Sequence, residues 1–215
     1  MKKIAILGGL IALPALIFIT MKYTGKNYYQ LEPVELPVVS GCEQSNLEEH
    51  QVPPFSLLTQ DSTVITEKDF EDKVYVAGFF FSTCPTTCVQ MTSEILRLQD
   101  YFEDNEQIKV VFHSVNPAYD TPSILKDYAI NYGINTDFWK LVTGEKKEIY
   151  DIAKCGYYVV ARSDDSNPTG LIHTEKVVLI DKEKNIRGYY NATKREDIDR
   201  LILEIQVLLQ EYAFS

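Results

Sequence analysis

Hydrophobic positions along this chain fall into three regimes. An uncharged apolar run over residues 4–21 follows Lys2-Lys3. A polar stretch, broken by Pro33, Pro37 and Gly41, then extends to Gln51 without a sustained period. From Val52 onward, strand-length apolar blocks alternate with segments whose apolar residues recur at helical spacing. Residues 52–58 predict a first short strand, and Thr66 caps a brief turn over 67–70. Residues 74–81 form an unbroken apolar run, the signature of a buried strand. Behind it, Met91, Ile95, Leu98 and Phe102 mark a helix, with Pro85 suited to its first position. Residues 108–115 predict the next strand. Thr121-Pro122 opens a helix with Ile124, Leu125, Tyr128, Ala129 and Tyr132 on one face, and Gly133 closes it.

The remainder continues the alternation. Residues 138–142 predict a strand, 146–155 a helix ended by Gly156, and 157–162 another strand. The polar segment 163–170 is a loop by composition, followed by His173 and a strand over 176–180. Residues 181–185 turn the chain into a partner strand over 186–190, a β-hairpin. Thr193 and Glu196 predict a capping box for a last helix, buried through Ile198, Leu201, Ile202, Ile205, Leu208 and Leu209. Strand–helix pairs followed by a hairpin and a closing helix describe an α/β fold: a thioredoxin-like three-layer sandwich, its sheet covered on both faces. The predicted organisation is an anchor over 1–22, a tether over 23–51 and a globular domain over 52–215.

Residues 4–21 would rise about 27 Å as a helix, close to the ~30 Å of a hydrocarbon core. Tyr23, Tyr28 and Tyr29 suit the lipid–water interface, and no small-x-small cleavage site follows the run. A single uncleaved transmembrane helix in the bilayer is therefore expected, with the domain on the periplasmic, extracytoplasmic side. Val39-Ser40-Gly41-Cys42 imitates a lipid-attachment box, but such a box ends the apolar run directly, and here Lys22, Lys26, Glu32 and Glu35 intervene. The net charge of −10 argues against nucleic acid as a partner.

The candidate chemistry lies where the central apolar strand ends, at Cys84-Pro85-Thr86-Thr87-Cys88. Thiols at a helix N-terminus meet unpaired N–H groups and the positive end of the dipole, which favours thiolate. Placed four apart, both sulfurs of a first helical turn face one side, ready to form a redox-active disulfide or to hold a soft metal. Of the three histidines, His50 falls in the tether and His113 in an apolar strand, where a hydrogen-bonded core histidine is expected. His173, after a polar loop, is placed to reach another loop. Two thiolates with one imidazole select Cu(I), with Cu(II) also accessible through the imidazole, or zinc if a fourth donor appears. Cys42 and Cys155 are either a second pair or two unrelated thiols; bridged, they would add roughly 4–5 kcal/mol by loop-closure entropy.

Taken together, Cys84-Pro85-Thr86-Thr87-Cys88 after an aromatic strand, Ser114-Val115-Asn116-Pro117 leading to Asp120-Thr121-Pro122, Leu141-Val142-Thr143-Gly144, and His173-Thr174 before Val177-Val178-Leu179-Ile180-Asp181 resemble the Sco/SenC family. The resemblance runs from about Pro53 to the C-terminus. It implies a membrane-tethered, thioredoxin-like copper-binding protein with Cys84, Cys88 and His173 as ligands. It further implies a copper metallochaperone that takes copper from a donor protein. Its role would be to supply the Cu-A site of a cytochrome c oxidase subunit, or to keep that site's cysteines reduced. Two positions depart from the family pattern: Asn116 stands where an aspartate is common, and Leu171-Ile172 precede His173 without the usual aspartate. Cys42 and Cys155 lie outside the pattern, and a disulfide private to this chain is expected for them.

A thiol–disulfide oxidoreductase is the alternative, with one cysteine attacking and the other resolving. Against it, thioredoxin-type enzymes separate their cysteines by two residues and carry a cis-proline where this chain has Leu171-Ile172. A peroxidase fits less well, because the Thr-x-x-Cys context is absent: Phe81 precedes Cys84 at that distance, and Pro85 precedes Cys88.

Overall fold

The computed structural model describes residues 13–20, 31–36, 39, 42, 52–159 and 174–214. The chain divides into two units, residues 1–30 and residues 31–215. In the first, residues 13–20 are helical with exposed side chains, and the Thr20 hydroxyl donates to the Leu16 and Ile17 carbonyls at 2.9 Å. Among the described residues no helix is long and apolar enough to cross a membrane. The rest of the expected span, residues 4–12 and 21, lies outside the described residues.

The second unit is built on strand β3 (Val74–Phe80), in which every residue is buried. Along it the side chains alternate, Val74, Val76 and Phe80 entering one core and Tyr75, Ala77 and Phe79 the other. A strand apolar on both faces belongs in the middle of a covered sheet. The sheet has seven strands in the order β2-β1-β5-β4-β3-β6-β7. β3 pairs in parallel with β4 (Ile108–Ser114), which pairs in parallel with β5 (Trp139–Thr143). β6 (Lys176–Ile180) and β7 (Ile186–Asn191) form the antiparallel hairpin on one side. β1 (Ser56–Thr59) and β2 (Val64–Thr66) form another on the far side. The sequence pattern shows β2 only as the cap of the next turn, since three residues are too few to display a period of two.

Three helices share one face: α1 (Thr87–Phe102), α2 (Pro122–Tyr132) and α4 (Arg195–Phe214) all contribute to the same core. The other face is covered by the short helix α3 (Lys146–Asp151), by Phe55 and by Phe70 of the turn at Glu67–Phe70. The expected three layers are thus present, with the long helices on one side. Gly78 is required in β3, because a Cβ there would lie 2.4 Å from the Phe112 ring. That ring fills the space and meets the edge of Trp139 at 4.9 Å. Gly133 ends α2 with φ of 71°, the left-handed cap its position predicts.

Several local expectations change. The helix predicted over 146–155 is α-helical only to Asp151 and continues as a π-turn over Ile152–Gly156. No strand forms over residues 157–159, and 160–162 lie outside the described residues. Thr193 does not cap α4. Its hydroxyl donates to the Asn191 side chain at 2.6 Å, while the Asn191 N–H donates to Asp197 at 2.7 Å, so asparagine takes over the local polar bonding.

Part of the expected tether belongs to the folded unit. The Leu31 N–H donates to Glu211 at 2.8 Å, and the Val34 N–H donates to the Ile186 carbonyl at 2.9 Å. Arg187 bonds the Leu31 carbonyl and pairs with Asp181 at 2.9 Å and Glu211 at 3.1 Å. Ile180 lies opposite Tyr75 near the start of β3 and beside Ile186. Leu31–Leu36 therefore docks at the end of the sheet remote from the end of β3 that leads to the cysteines.

Candidate metal centre

Cys84 and Cys88 are both buried and both free thiols. β3 ends at Phe80, and the chain turns with the Cys84 N–H donating to the Phe81 carbonyl at 3.2 Å. α1 begins only at Thr87, later than Pro85 suggests, and Thr86 at its N-cap supplies no side-chain bond. The acceptor comes instead from Cys84, whose Sγ lies 3.3 Å from the Cys88 N–H. The two sulfurs are thus not equivalent members of one helical turn. Cys84 stands before the helix and receives its N–H groups, as a capping side chain does, while Cys88 belongs to the helix and points into the core.

This asymmetry divides their chemistry. Burial works against charge on Cys84, but the backbone N–H groups of Cys88, Thr86 and Thr87, with the Cys88 thiol, outweigh it, so its pKa falls below that of an ordinary thiol. Burial pushes the Cys88 thiol up to about 12. The Phe81 backbone opposes that rise, and nearby Cys84 and Asp120 add to it. Tyr128 lies beside the pair, and its hydroxyl bonds Thr92, one turn beyond Cys88, at 2.7 Å. The arrangement is one sulfur favoured as thiolate and a second held protonated beside it. It can close a disulfide by losing two protons and two electrons, or hold a soft cation once both protons leave.

Asp120 is the neighbour the sequence leaves without a role. Asn116 removes a carboxylate from its usual place, yet Asp120 is fully buried close enough to raise the Cys88 pKa. Its side chain accepts from the Ser82 N–H at 3.1 Å and from the hydroxyls of Ser82 and Ser114. No local signal could have found this, since Ser82 and Asp120 are 38 residues apart.

His113 is the expected core histidine. It is fully buried, stacked on Phe79 at 5.0 Å and bonded through Nδ1 to the Gly78 carbonyl at 3.2 Å. A carbonyl only accepts, so Nδ1 carries the proton, and Nε2 has no hydrogen-bond partner among the described residues. Burial lowers its pKa to about 4, against the slight opposing effect of that hydrogen bond. His50 and His173 lie outside the described residues. Among the described residues no group of three His, Cys, Asp or Glu side chains forms a metal site, so two of the three expected ligands are brought together here. Cys42 and Cys155 are joined by a disulfide with a Cα–Cα distance of 5.5 Å, which leaves the Cys42 sulfur no valence for a lipid.

The sequence profile of SCO1/SenC matches residues 43–210. A SCO1/SenC family lipoprotein from Bacillus anthracis is 25% identical and superposes with a TM-score of 0.67, covering 75% of this chain and 96% of its own. BsSco, described as having a disulfide switch and as a member of the Sco family of cytochrome c oxidase assembly proteins, is 26% identical with a TM-score of 0.64, covering 74% and 92%. Arabidopsis thaliana ScoI, solved with copper bound, is 26% identical with a TM-score of 0.58, covering 72% and 97%. The mixed α/β, thioredoxin-like fold expected from the sequence is the fold of these Sco structures. With its profile matched across most of its length, the chain belongs to the SCO1/SenC family.

Proposed function

We propose that this protein is a copper metallochaperone that carries copper as cargo on Cys84, Cys88 and His173. The observation that supports it most directly is the pair of free sulfurs at the start of α1, one of them stabilised as thiolate by helix N–H groups. Two thiolates give the soft, low-coordinate environment that Cu(I) prefers, and an imidazole extends the set to Cu(II). Copper-bound ScoI and the oxidase-assembly role named for BsSco favour the same reading. The acceptor is then the Cu-A site of a cytochrome c oxidase subunit, and a donor protein loads the carrier. Residues 1–22 anchor the domain in the bilayer on the periplasmic side, through a tether over residues 23–51.

The inequality of the two thiols also supports a second reading, a thiol–disulfide reductase that keeps the acceptor's cysteines reduced. There Cys84 attacks and Cys88 resolves. The two readings separate in one experiment, an anaerobic titration with Cu(I) against a competing chelator of the chain from Leu31 onward, with Cys84 and Cys88 as thiols and the Cys42–Cys155 bridge closed. That starting point retains both the docked Leu31–Leu36 segment and the Cys42–Cys155 bridge. The carrier reading expects one equivalent held tightly, and weakened at least tenfold in His173→Ala. Weak binding indifferent to His173 would overturn it and leave the reductase.

A further inference from the structure

Asp120 is a buried carboxylate placed between the ends of the two central parallel strands. Ser114 closes β4 and lies opposite Phe80, the last residue of β3. Ser82 follows two residues later and precedes Cys84 by two. The Asp120 side chain accepts from the backbone N–H and hydroxyl of Ser82 and from the hydroxyl of Ser114. The Ser114 oxygen itself accepts the Asn116 N–H at 3.1 Å. The Tyr119 and Asp120 N–H groups donate to the Asn116 carbonyl at 3.0 and 2.9 Å. One carboxylate therefore ties its own turn, the end of β4 and the segment carrying the first cysteine into a single bonded unit.

Burying a carboxylate is costly unless its lone pairs are filled, and a cation is the usual way to offset the charge. Asp120 forms no ion pair among the described residues; three donors from Ser82 and Ser114 fill its oxygens instead. Two of them come from the residue that fixes where the chain leaves β3 for Cys84. The Cys84 sulfur must then reach the Cys88 N–H, a 3.3 Å contact that depends on the path of the Ser82–Cys84 turn.

We infer that Asp120 is a positioning residue for the Cys84–Cys88 pair, holding the Ser82 turn so that the Cys84 sulfur meets the first turn of α1. This rests on the dithiol being the working site, but not on copper as its cargo. Loss of the clamp changes the relative stability of the free dithiol and the closed disulfide, because the free form draws on the N–H contact.

The test is the redox equilibrium of the full chain in detergent with glutathione. Two thiols give up two protons and two electrons as the S–S bond forms, and one glutathione disulfide takes them up as two glutathiones. The fraction oxidised is read by alkylation and mass spectrometry of the peptide containing Cys84 and Cys88, with a melting curve alongside. Asp120→Ala should shift the equilibrium constant at least tenfold, about 30 mV for a two-electron couple. Asp120→Asn, which keeps one acceptor oxygen, and Ser82→Ala should shift it less but in the same direction. A purely structural role would lower the melting temperature and leave the equilibrium in place. Folded variants whose constants stay within twofold of wild type would overturn the inference. Should Asp120→Ala fail to fold, Asp120→Asn and Ser82→Ala decide it by the same criterion. Because no copper is present, failure of the carrier reading leaves this outcome untouched.

Discussion

Replacing both Cys42 and Cys155 with Ser tests what the bridge does. It joins residues 113 apart in sequence, and the segment it encloses carries β1 to β5 with α1, α2 and most of the α3 layer. Loop-closure entropy for that separation is about 16 cal/mol/K, so opening the bridge should cost about 5 kcal/mol at room temperature. That is a large share of the ~5–15 kcal/mol by which a domain is typically stable. Both residues are half-buried, so serine in their place should add little penalty of its own. The assay is urea unfolding of the chain from Leu31 onward, followed by emission of Trp139, the single tryptophan and fully buried. The variant should unfold at a much lower midpoint with a steeper slope, because the unfolded chain freed of its crosslink exposes more surface. Wild type treated with a reductant should follow the variant. A midpoint displaced by less than about 1 kcal/mol in equivalent stability would refute the entropic argument and show that the chain enclosed by the bridge is already restrained when unfolded.

Two further perturbations probe the buried polar groups on either side of the sheet. His113 is neutral when folded, its pKa held at about 4 among Phe55, Phe79 and Tyr157, whereas an unfolded imidazole titrates near ~6.5. Between those values the unfolded chain binds more protons, so the histidine's contribution is complete above about pH 6.5 and about 3 kcal/mol is lost as pH falls to 4. His113→Leu should flatten the stability profile across that window while carboxylate effects remain, and an unaltered slope would remove His113 as the source. Arg187→Met leaves the fully buried Asp181 without its cation and releases the Leu31 carbonyl, and should cost about 3 kcal/mol in urea unfolding. An unchanged midpoint would show that the ion pair and the Arg187 bond to the Leu31 carbonyl are dispensable.

What the sequence discloses, and what it hides, follows from the range of the interactions involved. β3 is legible because seven consecutive buried positions need no partner to declare themselves, and α2 because a threonine, a proline and a glycine mark its ends within a dozen residues. The docking of Leu31 is hidden for the opposite reason. Its partners Arg187 and Glu211 lie 156 and 180 residues away, while locally Glu32, Pro33 and Glu35 look like a solvated linker. The π-turn after Asp151 is equally hidden, since one extra residue in a helical turn leaves no compositional mark. At the candidate centre the same division runs between two adjacent cysteines. Their spacing of four is local and announces paired sulfur chemistry. Their inequality is tertiary: α1 starts two residues after Pro85, so Cys84 is left outside to accept a helix N–H while Cys88 is carried into the core beside Tyr128 and Asp120. A motif can therefore name the two sulfurs, but which of them ionises first is decided by a packing arrangement assembled from strands and loops far along the chain.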